Sequence, residues 1–346
     1  PGVIDPAYKL QENMMNSVYS SFSDADVLVY MVEVGEKSLK DPKISERLTK
    51  TEIPLLLLLN KIDLAQQEDV DLAVSKARET FNKGHWSNLS PGQRKKILLK
   101  FATLLERDRL ELALLDTIDM GKTINDTFNA DLPTSIDNIE WYAEIIDKLF
   151  DDISPSSKEY MGLITKEPIG VVAAIVPWNY PLWMAIWKIA PALITGNSVI
   201  LKPAEQSPMS AIKIGALLSE AGVPDGVFSV LPGDGPITGK SLCLHNDVDC
   251  VAFTGSGEVG KLVLQYSGQS NMKRVQLECG GKSPNIIFAD CPDLNSAAEA
   301  SAYAIFGNQG EVCSAGSRLI VQKEIETDFL DKVAKISENM KPADPL

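Results

Sequence analysis

An α/β fold built on a parallel sheet is predicted for most of this 346-residue chain, and three observations predict it. Between Gly170 and Phe253, short apolar runs alternate with helical segments at the pitch of βα units, which puts helices on both faces of a parallel sheet. Turns rich in glycine or proline close those runs, as in Pro177-Trp178-Asn179 and Thr254-Gly255-Ser256. Ligands of such sheets bind beyond the carboxyl ends of the strands. The composition, 45% hydrophobic and 23% charged, is that of a globular chain long enough for two or three domains.

Element by element, Val27 to Val34 is a β-branched and apolar run, and Pro54 opens another at Leu55; both read as strands. From Asp69 the texture turns helical. Ser90-Pro91-Gly92-Gln93 joins an N-cap Ser, a Pro at the first helical position and a capping-box Gln. Ile97, Leu98, Phe101, Leu104 and Leu105 then repeat at helical spacing. A further helix ends at Gly121, which can take the left-handed cap, and another covers Ile136 to Phe150. Asp151 to Ser157 reads as a polar turn, and Gly162 to Thr165 as a strand leaving the body. Strands follow at Val171–Val176, Ser198–Leu201, Val227–Leu231 and Cys250–Phe253, with a helix from Ser207-Pro208 to Gly222 between the second and third.

Charge and cysteine content exclude several function classes. A net charge of −14 argues against a nucleic-acid surface, whose affinity comes mostly from cationic contacts. Cysteines at 243, 250, 279, 291 and 313 are odd in number and form no CxxC pair, which fits a reducing, cytoplasmic setting. With only His85 and His245 available, neither a histidine metal site nor a Ser-His-Asp triad is expected, and no metal is assigned. The Leu55–Leu59 run is too short to cross a bilayer. Gly235-Pro236-Ile237-Thr238-Gly239-Lys240-Ser241 is one residue short of a phosphate-binding P-loop and is set aside.

The chemistry-bearing residues fall in the turns after those strands and in two segments further along the chain. Cys313 lies in Asn308-Gln309-Gly310-Glu311-Val312-Cys313-Ser314-Ala315-Gly316-Ser317-Arg318, and Glu278 in Leu277-Glu278-Cys279-Gly280-Gly281-Lys282. A thiol in a small-residue setting with a carboxylate available suggests covalent catalysis through a thioester, although a buried inert Cys is as common. Asn179, held between two prolines, offers either a plain turn amide or a preorganised oxyanion donor. Lys202 and Glu205 read by spacing as a solvated loop pair. Gly255-Ser256-Gly257-Glu258-Val259-Gly260 ends a strand and opens a helix whose N-terminus would face a pyrophosphate.

Taken in order, Pro177-Trp178-Asn179, Thr254-Gly255-Ser256, Glu278 and Cys313 resemble the aldehyde dehydrogenase superfamily from about Asp69 to Leu346. The resemblance implies an aldehyde-dehydrogenase-like parallel dinucleotide-binding sheet plus a truncated catalytic domain. Residues 68–279 would be the NAD-binding domain, with a bridging segment near 155–167 that helps form an oligomerisation sheet, and 280–346 the start of the catalytic domain. It further implies Cys313 as nucleophile, Glu278 as general base, and Asn179 with the Cys313 amide as oxyanion donors. Trp178, Lys202, Glu205, Gly255, Ser256 and Gly260 would bind the cofactor, with NAD preferred over NADP because the Glu205 carboxylate should oppose a 2′-phosphate. Tyr180 and Trp187 match aromatic positions of betaine-aldehyde and aminoaldehyde dehydrogenases, which implies a substrate ammonium held by rings; core packing explains both rings equally well. In the intact family a homo-oligomer is expected.

Residues 1 to about 67 differ. Asn60-Lys61-Ile62-Asp63 after an apolar run, with Asp24-Ala25-Asp26-Val27-Leu28, resembles the middle of an Era-type ribosome-assembly GTPase. This predicts a partial G-domain α/β fragment whose Asn60, Lys61 and Asp63 are vestigial guanine contacts, with RNA or ribosome as partner only if that piece functions. The phosphate loop expected before it is absent, as is the Glu-x-Phe-Gly-Pro element that holds the nicotinamide ribose in the dehydrogenases. The expectation is therefore a truncated fusion with at best weak GTP binding and little aldehyde oxidation. The alternatives are a GTP-binding fragment or a non-functional chimeric product.

Overall fold

The computed structural model describes residues 67–346, two strands at 28–33 and 55–60, and residues 19, 44 and 50. The chain divides into two compact units, Pro1–Ala65 and Gln66–Leu346. In the first, β1 (Leu28–Glu33) pairs in parallel with β2 (Leu55–Asn60), Leu28 opposite Leu55 and Glu33 opposite Asn60. Both apolar runs are thus strands, as their composition predicts, and they pair in parallel. Of the guanine-contact residues, Asn60 ends β2, whereas Lys61 and Asp63 lie outside the described residues.

The second unit opens with α1 (Gln67–Asn82), α2 (Pro91–Arg107), α3 (Arg109–Met120) and α4 (Leu132–Ile145). The capping box of α2 is formed: the Gln93 N–H donates to Ser90 Oγ at 3.3 Å, and the Ser90 N–H to Gln93 Oε1 at 2.9 Å. Gly121 closes α3 at φ 78°, a left-handed conformation that glycine adopts without a Cβ penalty. α4 differs from its expected span of 136–150. It runs on at Leu132 from a π turn at Thr127–Asp131, with Pro133 just after that turn, and it tightens into a 3₁₀ turn at Ile146–Lys148. The expected polar turn at 151–157 is half strand. β3 (Asp152–Ser154) pairs antiparallel with β4 (Gly162–Ile164), and both are so exposed that no in-out alternation marks them in the sequence.

β5 (Val171–Ile175), β6 (Ser198–Lys202), β7 (Phe228–Val230), β8 (Cys250–Gly255) and β9 (Arg274–Cys279) form one parallel sheet in the order β7-β6-β5-β8-β9. Helices α5 (Pro181–Ile194), α6 (Met209–Ala221), α7 (Lys240–Leu244) and α8 (Gly257–Gln269) connect the strands. Side chains alternate between the faces of β5. Val172, Ala174 and Val176 face the layer holding Phe101, Leu105, Ile139, Ile189 and Ile214. Val171, Ala173 and Ile175 face Val70, Val74, Leu242 and Val263. Burial of each Val, Leu, Ile or Phe contributes about 1.5–3 kcal/mol, so this two-sided core anchors β5 and the turn that leaves it.

After β9 the chain adds β10 (Pro284–Ile287), α9 (Leu294–Phe306), β11 (Arg318–Val321) and α10 (Glu326–Ser337). β10 and β11 are a separate parallel pair, with Ile287, Ala298 and Phe329 as a small core. From β5 the chain runs outward through β6 and β7, then returns to β8 and β9 on the other side. The reversal leaves a crevice at the carboxyl ends of β5 and β8, the topological switch point where open α/β sheets bind ligands.

Candidate active site

Two turns meet at that switch point: Pro177-Trp178-Asn179-Tyr180 after β5, and Gly255-Ser256 at the end of β8. They border a cavity of about 410 Å³ whose lining includes Trp178, Lys202, Glu205, Gly255 and Ser256. Five of the six residues expected to bind a cofactor are therefore brought together. Gly260 is not among them. It is buried against β9, where a Cβ would come within 3.1 Å of Cys279 Sγ, so this glycine serves the close approach of α8 to the strand.

Lys202 and Glu205 are not a solvated loop pair. Lys202 is buried at the end of β6, and its Nζ lies 2.9 Å from Glu205 Oε1, which also accepts the Gly235 N–H. Burial works against the charged carboxyl of Glu205, but Lys202 and the Gly235 N–H outweigh it and hold the group below its ordinary range. Gly235, Pro236, Gly239 and Lys240, the stretch set aside as a failed P-loop, also line the cavity. Ser256 caps α8, accepting the Val259 N–H at 3.2 Å, which leaves its own O–H for a ligand at the helix N-terminus. Thr254 Oγ1, in the same lining, is buried without a hydrogen-bond partner. A dinucleotide fits this donor set: an unsatisfied hydroxyl, a helix N-terminus and an ionised carboxylate share one largely apolar cleft.

Asn179 meets the turn that leads to Cys313 directly. Its Nδ2 donates to the Glu311 carbonyl at 2.6 Å, and Asn308 Nδ2 donates back to the Asn179 carbonyl at 3.1 Å. Cys313, half-buried, follows Glu311 by two residues. Glu278 stands exposed near the carboxyl end of β9, opposite Thr254. The loop that follows it reaches the same turn: a Cβ on Gly281 would lie 3.9 Å from the Cys313 carbonyl oxygen.

The ring assignments need a correction. Tyr180 and Trp187 do belong to one aromatic row, but Trp183 joins them, with edge contacts at 5.3 Å to Tyr180 and 5.9 Å to Trp187. Lys122 Nζ already sits 3.5 Å from the Tyr180 ring centroid. One face of Tyr180 therefore carries an internal cation, which leaves Trp187, exposed to 46%, as the better-placed ring for a ligand.

Several residues escaped the sequence reading. Lys122 and Asp131, both buried, form an ion pair behind Tyr180. Lys188 follows Trp187 on α5, and burial pushes its ammonium down to about 8 while the nearby Glu278 charge resists. A signal for Lys188 was available: it is the lone charge in the helix Pro181–Ile194. Lys122 and Asp131 carried none, because each looks like an ordinary surface charge until the chain folds.

A model of the Aldehyde dehydrogenase family matches residues 57–346, so it begins inside the segment read as GTPase-like. The NADP/NAD-dependent aldehyde dehydrogenase PuuC of Escherichia coli (strain K12) is 50% identical over 288 residues, 83% of this chain and 58% of the relative. The aminoacetaldehyde dehydrogenase of Pseudomonas aeruginosa is 43% identical over 289 residues, 84% of this chain and 58% of the relative. The crystal structure of gamma-glutamyl-gamma-aminobutyraldehyde dehydrogenase from Burkholderia cenocepacia J2315 superposes with a TM-score of 0.80 at 51% identity, over 81% of this chain and 57% of that one. The chain thus spans a little over half the length of the relatives it matches. It is a member of the aldehyde dehydrogenase family.

Proposed function

We propose that this chain carries the dinucleotide-binding and nucleophile-bearing part of an enzyme that oxidises an aldehyde to a carboxylic acid. The observation that carries the reading is the hydrogen bond from Asn179 Nδ2 to the turn of Cys313, beside the cleft that Trp178, Lys202, Glu205, Gly255 and Ser256 line. Cys313 as thiolate adds to the aldehyde carbon, and the oxyanion receives the second Asn179 N–H and the Cys313 backbone N–H. NAD, when bound, supplies the hydride acceptor. Glu278, acting as general base, then deprotonates a water that hydrolyses the thioester.

Residues 68–279 serve as the cofactor domain in this reading, and 280–346 begin the catalytic domain. Aminoaldehydes are the substrate class we favour, supported by the names of the aminoacetaldehyde and aminobutyraldehyde relatives. Trp187 is the ring offered to the ammonium. The exposed hairpin of β3 and β4, with Ile153 and Leu163 outward, is read as the face that a second copy covers. An Era-type GTPase origin for residues 1–67 rests on the sequence resemblance alone.

Titration of the chain with NAD and NADP, followed by tryptophan fluorescence, tests the cofactor assignment. NAD should bind more tightly, and Glu205→Ala should narrow the difference; tighter NADP binding by the parent chain would sink it. The covalent chemistry is tested in a chain extended with a family-like C-terminal half. Cys313→Ala should abolish oxidation, and Glu278→Gln should accumulate the acyl-enzyme. An extended enzyme fully active without Cys313 would remove the nucleophile from the scheme.

A further inference from the structure

The turn before Cys313 has an unusual backbone. Asn308 (φ 47°), Gln309 (φ 60°) and Gly310 (φ 80°) are left-handed in succession, a region that residues with a Cβ rarely occupy. Two side-chain amides from the turn reach across to other segments. Gln309 Nε2 donates to the Gly121 carbonyl at 2.7 Å, fixing the turn to the end of α3. Asn308 Nδ2 donates twice, to the Asn179 carbonyl at 3.1 Å and to the Glu311 carbonyl at 3.2 Å. That Glu311 carbonyl is also the acceptor for Asn179 Nδ2. The three residues make a closed triangle with Asn308 on both sides of it.

The triangle has a consequence for Asn179. A side-chain amide has two N–H groups. With one committed to Glu311, the plane of the amide and the direction of the other are set. Two neighbouring carbonyls also fix which way the Asn308 amide faces, because only its nitrogen can donate to both. We infer that Asn308 is a positioning residue: it ties the Asn179 backbone to the Cys313 turn, holds the Glu311 carbonyl on which the Asn179 side-chain amide rests, and so aims the second Asn179 N–H at the oxyanion formed on Cys313. This rests on the roles proposed above for Asn179 and Cys313. Asparagine suits the position twice over, since it tolerates the left-handed conformation better than most residues and brings the donor with it. Asn308→Gly would keep the backbone and delete the clamp; Asn308→Asp would keep the shape and remove the donor.

Two reagents separate positioning from mere integrity of the turn, and both act on the 346-residue chain without cofactor. p-Nitrophenyl acetate acylates a thiolate through a tetrahedral oxyanion; the carbon–sulfur bond forms, the bond to nitrophenolate breaks, and nitrophenolate is read by absorbance. Iodoacetamide alkylates the same thiolate by displacing iodide, with no oxyanion. Rates at Cys313 are taken by subtracting the Cys313→Ser background. The ratio of acylation to alkylation should fall about tenfold or more in Asn308→Gly and in Asn308→Asp, since small misplacements of a catalytic group cost this much. Asn179→Ala should lower it at least as far. If the Asn179 variant lowers the ratio and both Asn308 variants leave it unchanged, or slow both reagents equally, Asn308 does not aim the donor. An unchanged ratio in Asn179→Ala would instead overturn the oxyanion assignment itself, and the inference with it.

Discussion

Lys122 and Asp131 are 2% and 3% exposed, and each compensates the other's charge inside the second unit. Burial alone would drive the lysine toward its neutral form and the carboxyl toward protonation; their pairing opposes both. Removing one partner of such a pair costs about 3–5 kcal/mol, whereas replacing both with apolar groups is often nearly neutral. Lys122→Met should therefore shift the urea midpoint of the chain sharply downward, and Lys122→Met with Asp131→Leu should recover most of it. Asp116 supplies a pH dependence. It is buried, and its carboxyl is pushed up to about 7 by burial, against the pull of the Leu182 N–H. Between the ordinary carboxylate range and about 7, the folded chain holds a proton that the unfolded chain has released. Stability therefore falls as pH rises through that window, and Asp119, raised to about 6 by burial, adds in the same direction. Asp116→Asn should be more stable than the parent at pH 8, with the gap narrowing by on the order of 2–3 kcal/mol toward pH 5. Denaturation midpoints across that range check it; a constant gap would exclude Asp116 as the titrating group.

At the scale of elements, α3 does more than fill the core. α5 begins at Pro181 without a side-chain cap of its own, and its Leu182 N–H is met by Asp116 at 3.2 Å. α6 begins likewise, and its Met209 N–H is met by Asp119 at 2.8 Å. One helix thus satisfies one orphan donor in each of two others, including the one that carries Trp187 and Lys188. Capping within the sequence is simpler to test. Ser90→Ala should cost about 1 kcal/mol, seen as a lower denaturation midpoint with cavity geometry unchanged. Gly121→Ala carries two penalties. Alanine is strained at φ 78°, and its Cβ would stand 3.4 Å from Gln309 Nε2, the amide that ties the turn before Cys313 to α3. We expect a loss of about 1–2 kcal/mol together with slower alkylation of Cys313; a stability loss with unaltered thiol reactivity would show that the Gln309 contact does not reach the turn.

Across the second unit, apolar side chains are unevenly covered. Ile153, Leu163, Tyr160 and Met161 on or beside the β3–β4 hairpin are 65–76% exposed, while β5 and β6 are wholly buried. Clusters of this kind on a folded unit mark surfaces that another chain covers. The chain should therefore self-associate, and Leu163→Asp should lower its sedimentation coefficient at the same loading concentration. Equal sedimentation of parent and variant would remove the hairpin from assembly. Among the described residues no helix is long and apolar enough to cross a membrane.

The sequence by itself determined four strands of the parallel sheet, the strand ends that precede Asn179, Glu205 and Ser256, and the Ser90 and Gly121 caps, because each depends on neighbours along the chain; the strand that bears Glu278 it did not mark. Periodicity and capping are local, and the match of the Gly255-Ser256 turn to a strand end is local as well. It did not determine the hairpin strand at 152–154, which has no buried face to impose alternation, nor the start of α4. Tertiary structure alone decided which residues meet. Asn179 and Asn308 are more than a hundred residues apart in sequence, and so are Gly121 and Gln309; their hydrogen bonds exist only after the sheet and α3 have folded. The same holds for Gly260, legible as a phosphate-loop glycine but committed to Cys279, and for Lys122, whose ammonium occupies the ring of Tyr180 that a substrate was expected to use. Spacing reports what one segment can become; which partner fills each buried hydrogen bond or charge depends on segments that no local pattern links.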